Sequence, residues 1–121
     1  MEESIPTKEG IYPRGDTLYA VGPRAIAKVS SALASESRAK ILAILQKGPT
    51  DLEDIATMVN QSKANVSSQI RKLEEAGIVK SRYVPGQRGI KKVVELTVHR
   101  IVLMISPMGP EGAEQQARGN S

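Results

Sequence analysis

The sequence predicts an α+β domain, mainly α, in which a small helical bundle carries a β-hairpin. Three observations predict it. Apolar residues recur at helical spacing through residues 23–77, and two alternating stretches joined by a glycine-rich turn follow over residues 79–97. The third is that 121 residues without a single cysteine leave folding to an aliphatic core. A chain of that size hides roughly two-thirds of its unfolded surface on folding, so it needs no staple. Phe and Trp are absent and the aromatics are Tyr12, Tyr19 and Tyr83. Stacking of single-stranded bases on aromatic platforms is therefore poorly supported.

Taken in order, residues 1–21 contain Pro6, Gly10, Pro13 and Gly15, which interrupt any long element, and read as an N-terminal arm with one short strand over 18–21. A first helix starts near Pro23, since proline suits the first helical position, and turns Ile26, Val29 and Leu33 to one side. A second runs over about 36–47 behind Ser35 as N-cap, with Ile41, Leu42 and Leu45 inward and Gly48-Pro49 as its stop. "TDLE" at 50–53 opens a third, in which Thr50 and Glu53 have capping-box spacing and Leu52, Ile55, Ala56 and Val59 form the buried stripe. After the short turn Asn60-Gln61, Ser62 caps a fourth helix that ends at Gly77. "IVKSRYV" and "IKKVVELTV" then alternate as two strands around "PGQRG". Helix, helix, helix and hairpin in that order make a winged helix-turn-helix, with the recognition helix over 62–77 and the wing over 79–97.

Charge is concentrated in the same place. Between residues 62 and 92 eight basic residues face two acidic ones, a net +6, whereas the whole chain carries +4. Such a surface suits a polyanion, although a basic segment by itself is equally a solvated face. The helix periodicity decides between the two. Val66, Ile70, Leu73 and Gly77 fall on the inner side, leaving Ala64, Ser68, Arg71 and Glu75 outward, flanked by Lys63, Asn65, Ser67 and Lys72. Long charged side chains would fill the first turns of a helix built for solubility; here Ser62, Ala64, Asn65, Ser67 and Ser68 allow close approach to base edges. Arg71 and Lys72 stand a turn further on, within reach of phosphates. In the wing Arg88 sits at the tip between Gly86 and Gly89, with Arg82, Lys91 and Lys92 on the flanking strands, and can address a minor groove.

The stretch "ALASESRAKILAILQKGPTDLEDIATMVNQSKANVSSQIRKLEEAGIVKSRYVPGQRG", residues 32–89, resembles the DNA-binding domain of ArsR-type transcriptional regulators of archaea and bacteria. The pieces that carry the resemblance are "SESRAKILAIL", "LEDIA", "SKANVSSQIRKLEEAGIV" and the basic glycine turn, in that order and spacing. It implies a homodimer that binds double-stranded DNA in sequence-specific fashion, with the fourth helix in the major groove. The chain departs from metal-sensing members of that family. Ile55, Ala56 and Met58 stand where such members carry cysteines, and His99 is the one histidine, so no metal and no cofactor is expected. A thiol redox sensor is excluded by composition.

Catalysis is not expected, because no nucleophile–base pair, phosphate-cradling loop or carboxylate pair can be assigned. The remaining alternative is a winged-helix module that contacts protein or RNA in the transcription or translation machinery. No stretch suits a signal peptide or a membrane span, so the expected location is cytoplasmic. Residues 22–105 are expected to hold the DNA-binding domain with its dimerisation elements, and 106–121 a disordered tail. Two segments compete for the dimer surface: the first helix, 23–34, and "VHRIVLMI", 98–105, expected as a strand that continues the wing sheet.

Overall fold

The computed structural model describes residues 6–106. Its element order is β1 (Gly10–Arg14), β2 (Thr17–Val21), α1 (Pro23–Leu33), α2 (Glu36–Leu45), β3 (Thr50–Asp51), α3 (Leu52–Val59), α4 (Lys63–Glu75), β4 (Val79–Gly86), β5 (Gly89–Leu96) and β6 (Arg100–Met104). The strands form two three-stranded sheets, ordered β1-β2-β6 and β3-β5-β4. One core joins them to the helices. Leu18 and Ala20 of β2, Val29 of α1, Ile41 and Leu45 of α2, Ile55 of α3, Val66, Ile70 and Leu73 of α4 and Val94 of β5 all lie in it.

The helices stand where periodicity and capping place them. Ser35 accepts from the Arg38 amide and Ser62 from the Asn65 amide, at 3.3 and 3.1 Å, as N-caps of α2 and α4. Asn60 ends α3 in the left-handed region, φ 56°, which Asn tolerates better than most residues. Gly77, φ 82°, turns the chain out of α4 into β4. A side chain there would be strained.

Four expectations are corrected. The cap of α3 is Asp51, whose Oδ1 accepts the Asp54 amide at 2.9 Å, and not Thr50. Thr50 pairs with Val94 in β5 and gives its hydroxyl to the Gly48 carbonyl, so strand pairing removes it from the cap. In α1 the fully buried stripe is Ala25, Val29 and Ala32, with Ile26 and Leu33 half-buried at its margin. The small residues let the helix come close to β2.

The third correction concerns residues 98–105. They do not extend the wing sheet. The Thr97 amide bonds the Ile78 carbonyl, but the amides of His99 and Arg100 both bond the Asp16 carbonyl, and β6 then runs parallel to β2. Alternating apolar residues specify a strand and its faces, not its neighbour. Within the stretch expected as an arm, residues 10–21 form β1 and β2 and bury Leu18, Ala20 and Val21. Apart from Ser106, the expected tail lies outside the described residues.

The Asp51 cap carries a pH signature. Its carboxyl is held below the ordinary aspartate value of 3.8, chiefly by the Asp54 backbone amide and further by the charge of Lys91. Asp54 moves the opposite way because it shares a hydrogen bond with Asp51 and is repelled by it, which trims the gain. A depressed folded-state pKa gives stability that is present above the unfolded value and lost as pH falls through the folded one. Asp51→Ala is therefore expected to cost ~1 kcal/mol in urea unfolding at neutral pH. The gap to the native chain should narrow below pH 3.8.

Candidate nucleic-acid interface

The helix-turn-helix is α3, the turn Asn60-Gln61-Ser62, and α4. Its second helix is fixed from beneath: Val66, Ile70, Leu73 and the following Ala76 are buried, which leaves Ala64, Asn65, Ser68, Arg71 and Lys72 exposed and Ser67 half-buried. The turn is tied down as well. Gln61 Nε2 donates to Ser37 Oγ of α2 at 2.8 Å, and Asn65 Nδ2 donates to Gln61 Oε1 at 3.0 Å.

A buried arginine ties α4 to the end of α1. Arg38, 8% exposed, donates from Nε to the Ala32 carbonyl at 2.7 Å and from Nη2 to the Ser31 carbonyl at 3.1 Å, and from Nη1 to Gln69 Oε1 of α4 at 2.5 Å. The last carbonyls of a helix have no partner within it and carry its negative dipole end. α1 has no basic residue in its own last turn, so Arg38 reaches across from α2 to supply the charge. The planar fork serves α1 and α4 at once, which a lysine ammonium cannot copy. Residue types alone missed this role. The clue was positional: Arg38 lies three and seven residues before Ile41 and Leu45, a charge on an apolar stripe.

The wing is a tight hairpin. Gly86 pairs with Gly89 and leaves Gln87 and Arg88 at the tip. A Cβ on Gly86 would sit 2.8 Å from Lys91 Cγ, so a larger residue there displaces the Lys91 side chain. Register divides the expected basic cluster. Lys80, Arg82 and Val84 oppose Glu95, Val93 and Lys91 on one face, whereas Tyr83 and Pro85 oppose Lys92 and Ile90 on the other. Lys92 Nζ lies 3.5 Å from Glu74 Oε1, so its face is turned to α4 and that of Arg82 is turned away. Arg82 is therefore not brought beside the recognition helix.

The remaining cations divide into paired and free. Lys63 bonds Glu53 at 2.9 Å and Lys91 lies 3.9 Å from Asp51. Lys63 holds the Glu53 carboxyl below its ordinary value, by hydrogen bond first and by charge second. Arg71, Lys72, Arg82 and Arg88 have no ion pair among the described residues. A cleft of about 350 Å³ joins the starts of α3 and α4 to the wing, lined among others by Glu53, Lys63, Tyr83, Ile90 and Lys92. An adjoining hollow is lined by Glu53, Arg88 and Lys91, so the wing tip does lie beside the helix-turn-helix. Sequence reading missed Tyr83 and Ile90, 69% and 77% exposed on the wing. It also missed Lys28 of α1, which shares a shallow hollow with Lys72. His99 stands outside the interface, with Nδ1 2.5 Å from Asp16 Oδ1. Among the described residues no three His, Asp or Glu side chains stand together as a metal shell, and no helix is long and apolar enough to cross a membrane.

Three helices, a hairpin and a fourth helix held open on one side define a winged helix-turn-helix protein. Residues 35–81 match the model of the bacterial regulatory protein, arsR family. The chain is similar to an uncharacterized helix-turn-helix-type transcriptional regulator of Methanocaldococcus jannaschii, 37% identical over 59 residues, which is 49% of this chain and 62% of that protein. It thus spans less than two-thirds of that relative's length. Among solved structures it is similar to the homodimeric winged helix-turn-helix DNA-binding domain of a possible ArsR-family regulator from Mycobacterium bovis, with TM-score 0.55 and 24% identity over 80% of this chain and 76% of that one. NolR from Sinorhizobium fredii has TM-score 0.54 and 18% identity over 80% and 82% of the two chains. These structures share the fold.

Removal of Arg38 tests the hold on α4. Arg38→Met strands the buried Ala32 carbonyl and the part-buried Ser31 carbonyl and is expected to lower stability by about 1 to 3 kcal/mol in chemical denaturation. Gln69→Leu should cost about 1 kcal/mol. In a double-mutant cycle the two losses should not add, because both break one bond.

Proposed function

We propose that this chain is a sequence-specific, double-stranded DNA-binding transcriptional regulator of the cytoplasm that acts as a homodimer. In this reading α4 enters the major groove and the wing follows the backbone into the neighbouring minor groove. The observation that carries it is the outer face of α4: small polar and apolar side chains stand open over its first two turns, continuous with Arg71. The match to the arsR family model supports it, as does the likeness in fold to a DNA-binding domain that is itself homodimeric.

The division of labour follows from chemistry. Ala64, Asn65, Ser67 and Ser68 read base edges: the Ala methyl meets a thymine methyl, Asn suits adenine, and Ser bonds either base type. Ser62 stands at the dipole-positive end of α4, where backbone amides suit a phosphate. Arg71, Lys72 and Arg88 are free to neutralise phosphates beside α4, whereas Arg82, on the other face of the wing, meets only phosphates outside that groove. Lys63, Lys91 and Lys92 must first leave Glu53, Asp51 and Glu74. A two-fold dimer then reads a near-palindrome with half-sites about one helical turn apart.

Binding to fragments selected from randomised duplexes, measured over a range of salt, tests the reading. Arg88→Ala should weaken binding to every sequence and flatten the slope of log K against log salt by about one unit. Lys92→Ala should change that slope less, since Glu74 already neutralises the lysine. Ser68→Ala should alter base preference while affinity for random DNA barely moves. Binding indifferent to sequence, or no binding at low salt, would instead favour a protein- or RNA-contacting module.

A further inference from the structure

We infer that the homodimer forms through the open edge of β6, which pairs antiparallel with β6 of a second copy to make one continuous six-stranded sheet. The choice of a second copy rests on the dimeric reading above; the surface rests on the structure. Two segments of the sequence competed for this role, and burial separates them. α1 spends its apolar residues on the core, and its exposed positions are Pro23, Arg24, Ala27, Lys28 and Ser31. β6 is different. It has one neighbouring strand among the described residues, β2, and ends the sheet. Leu103 is 47% exposed and Ile105, just beyond the strand, 89%.

The edge is chemically prepared for a partner. Edge strands are normally blunted by Lys, Pro, a bulge or an inward charge. From Ile101 to Ile105 this edge has none of these residues, only Ile, Val, Leu and Met. The Arg100 amide bonds Asp16 and the Met104 carbonyl accepts from Gly22, so the backbone groups of residues 100, 102 and 104 turn toward β2. By alternation those of Ile101 and Leu103 turn to the open edge.

Symmetry selects the pairing. A two-fold axis through Leu103, perpendicular to the sheet, sets Leu103 against its own counterpart and Ile101 against Ile105 of the second copy. Apolar residues meet apolar residues, and the two Arg100 side chains lie at opposite ends. A parallel in-register pairing would stack the arginines, which is unfavourable. The same axis leaves the helical layers of both copies on one side of the sheet. Two recognition helices that read one duplex need that arrangement.

The absence of cysteine makes the test direct. Directly opposed residues of a hydrogen-bonded antiparallel pair have Cα atoms about 5.5 Å apart, within the span of a disulfide. In the full-length chain, Leu103→Cys should form a covalent dimer under mild oxidation, and Lys28→Cys on the outer face of α1 should not. Leu103→Lys places two like charges opposite one another and should weaken the dimer by about 100-fold in sedimentation equilibrium, with the helical circular dichroism unchanged. Crosslinking through Lys28→Cys alone, a Leu103→Lys chain that remains dimeric, or a native chain that is monomeric at all concentrations would overturn the inference. All of these measurements are made without DNA. A β6 dimer that ignores DNA would therefore refute the proposed function and leave the interface standing, whereas a DNA-binding dimer insensitive to Leu103→Lys would do the reverse.

Discussion

α4 can present a defined surface only if it is held in place, and the Arg38 guanidinium ties it to α1 and α2. A buried cation is ordinarily costly without a carboxylate beside it. Here three dipoles replace the carboxylate: the Ser31 and Ala32 carbonyls at the negative end of α1 and the Gln69 amide oxygen. The same contacts satisfy carbonyls that α1 cannot satisfy itself. Apolar packing of Val66, Ile70 and Leu73 sets which side of α4 is inward, and the arginine fork sets its position against α1 and α2. Packing alone tolerates sliding; a forked hydrogen bond is directional.

Above that fixed base, the interface is less positive than its sequence suggests. Four lysines of the basic window, Lys63, Lys80, Lys91 and Lys92, are matched to carboxylates within 3.9 Å. The exposed pairs among them add little to stability. Their consequence is electrostatic: Asp51 and Glu53 offset part of the charge of Lys63, Lys91 and Lys92 in the cleft between α3, α4 and the wing, while Arg71 and Arg88 have no ion pair among the described residues. A phosphate backbone can displace the carboxylates, but each exchange returns less than a free cation would.

Much of the fold was legible because it is written in local chemistry. Ser35 and Ser62 announce two helix starts, Gly77 a helix end, and Gly86 and Gly89 a hairpin, each through backbone preferences that operate within a few residues. The inner and outer faces of α4 followed from periodicity, so Ala64, Ser68 and Arg71 were placed outward correctly. The Thr50 cap failed because β3 recruits that residue to β5, a contact 44 positions away. The basic cluster of the wing divided for a related reason. Composition counts charges, but strand register decides which face each one takes.

By itself, then, the sequence determined the elements, their order and the chemistry of the exposed face of α4, since propensity, capping and period are properties of neighbouring residues. Only the tertiary structure decided which strands share a sheet, which lysines are already paired, and that Arg38 serves two helices at once. Those outcomes depend on distances between segments remote in the chain, and a one-dimensional pattern holds no record of them. The place of β6 makes the point: five apolar residues in a row announce a strand, yet its parallel seat beside β2 follows from where Asp16 offers its carbonyl to His99 and Arg100.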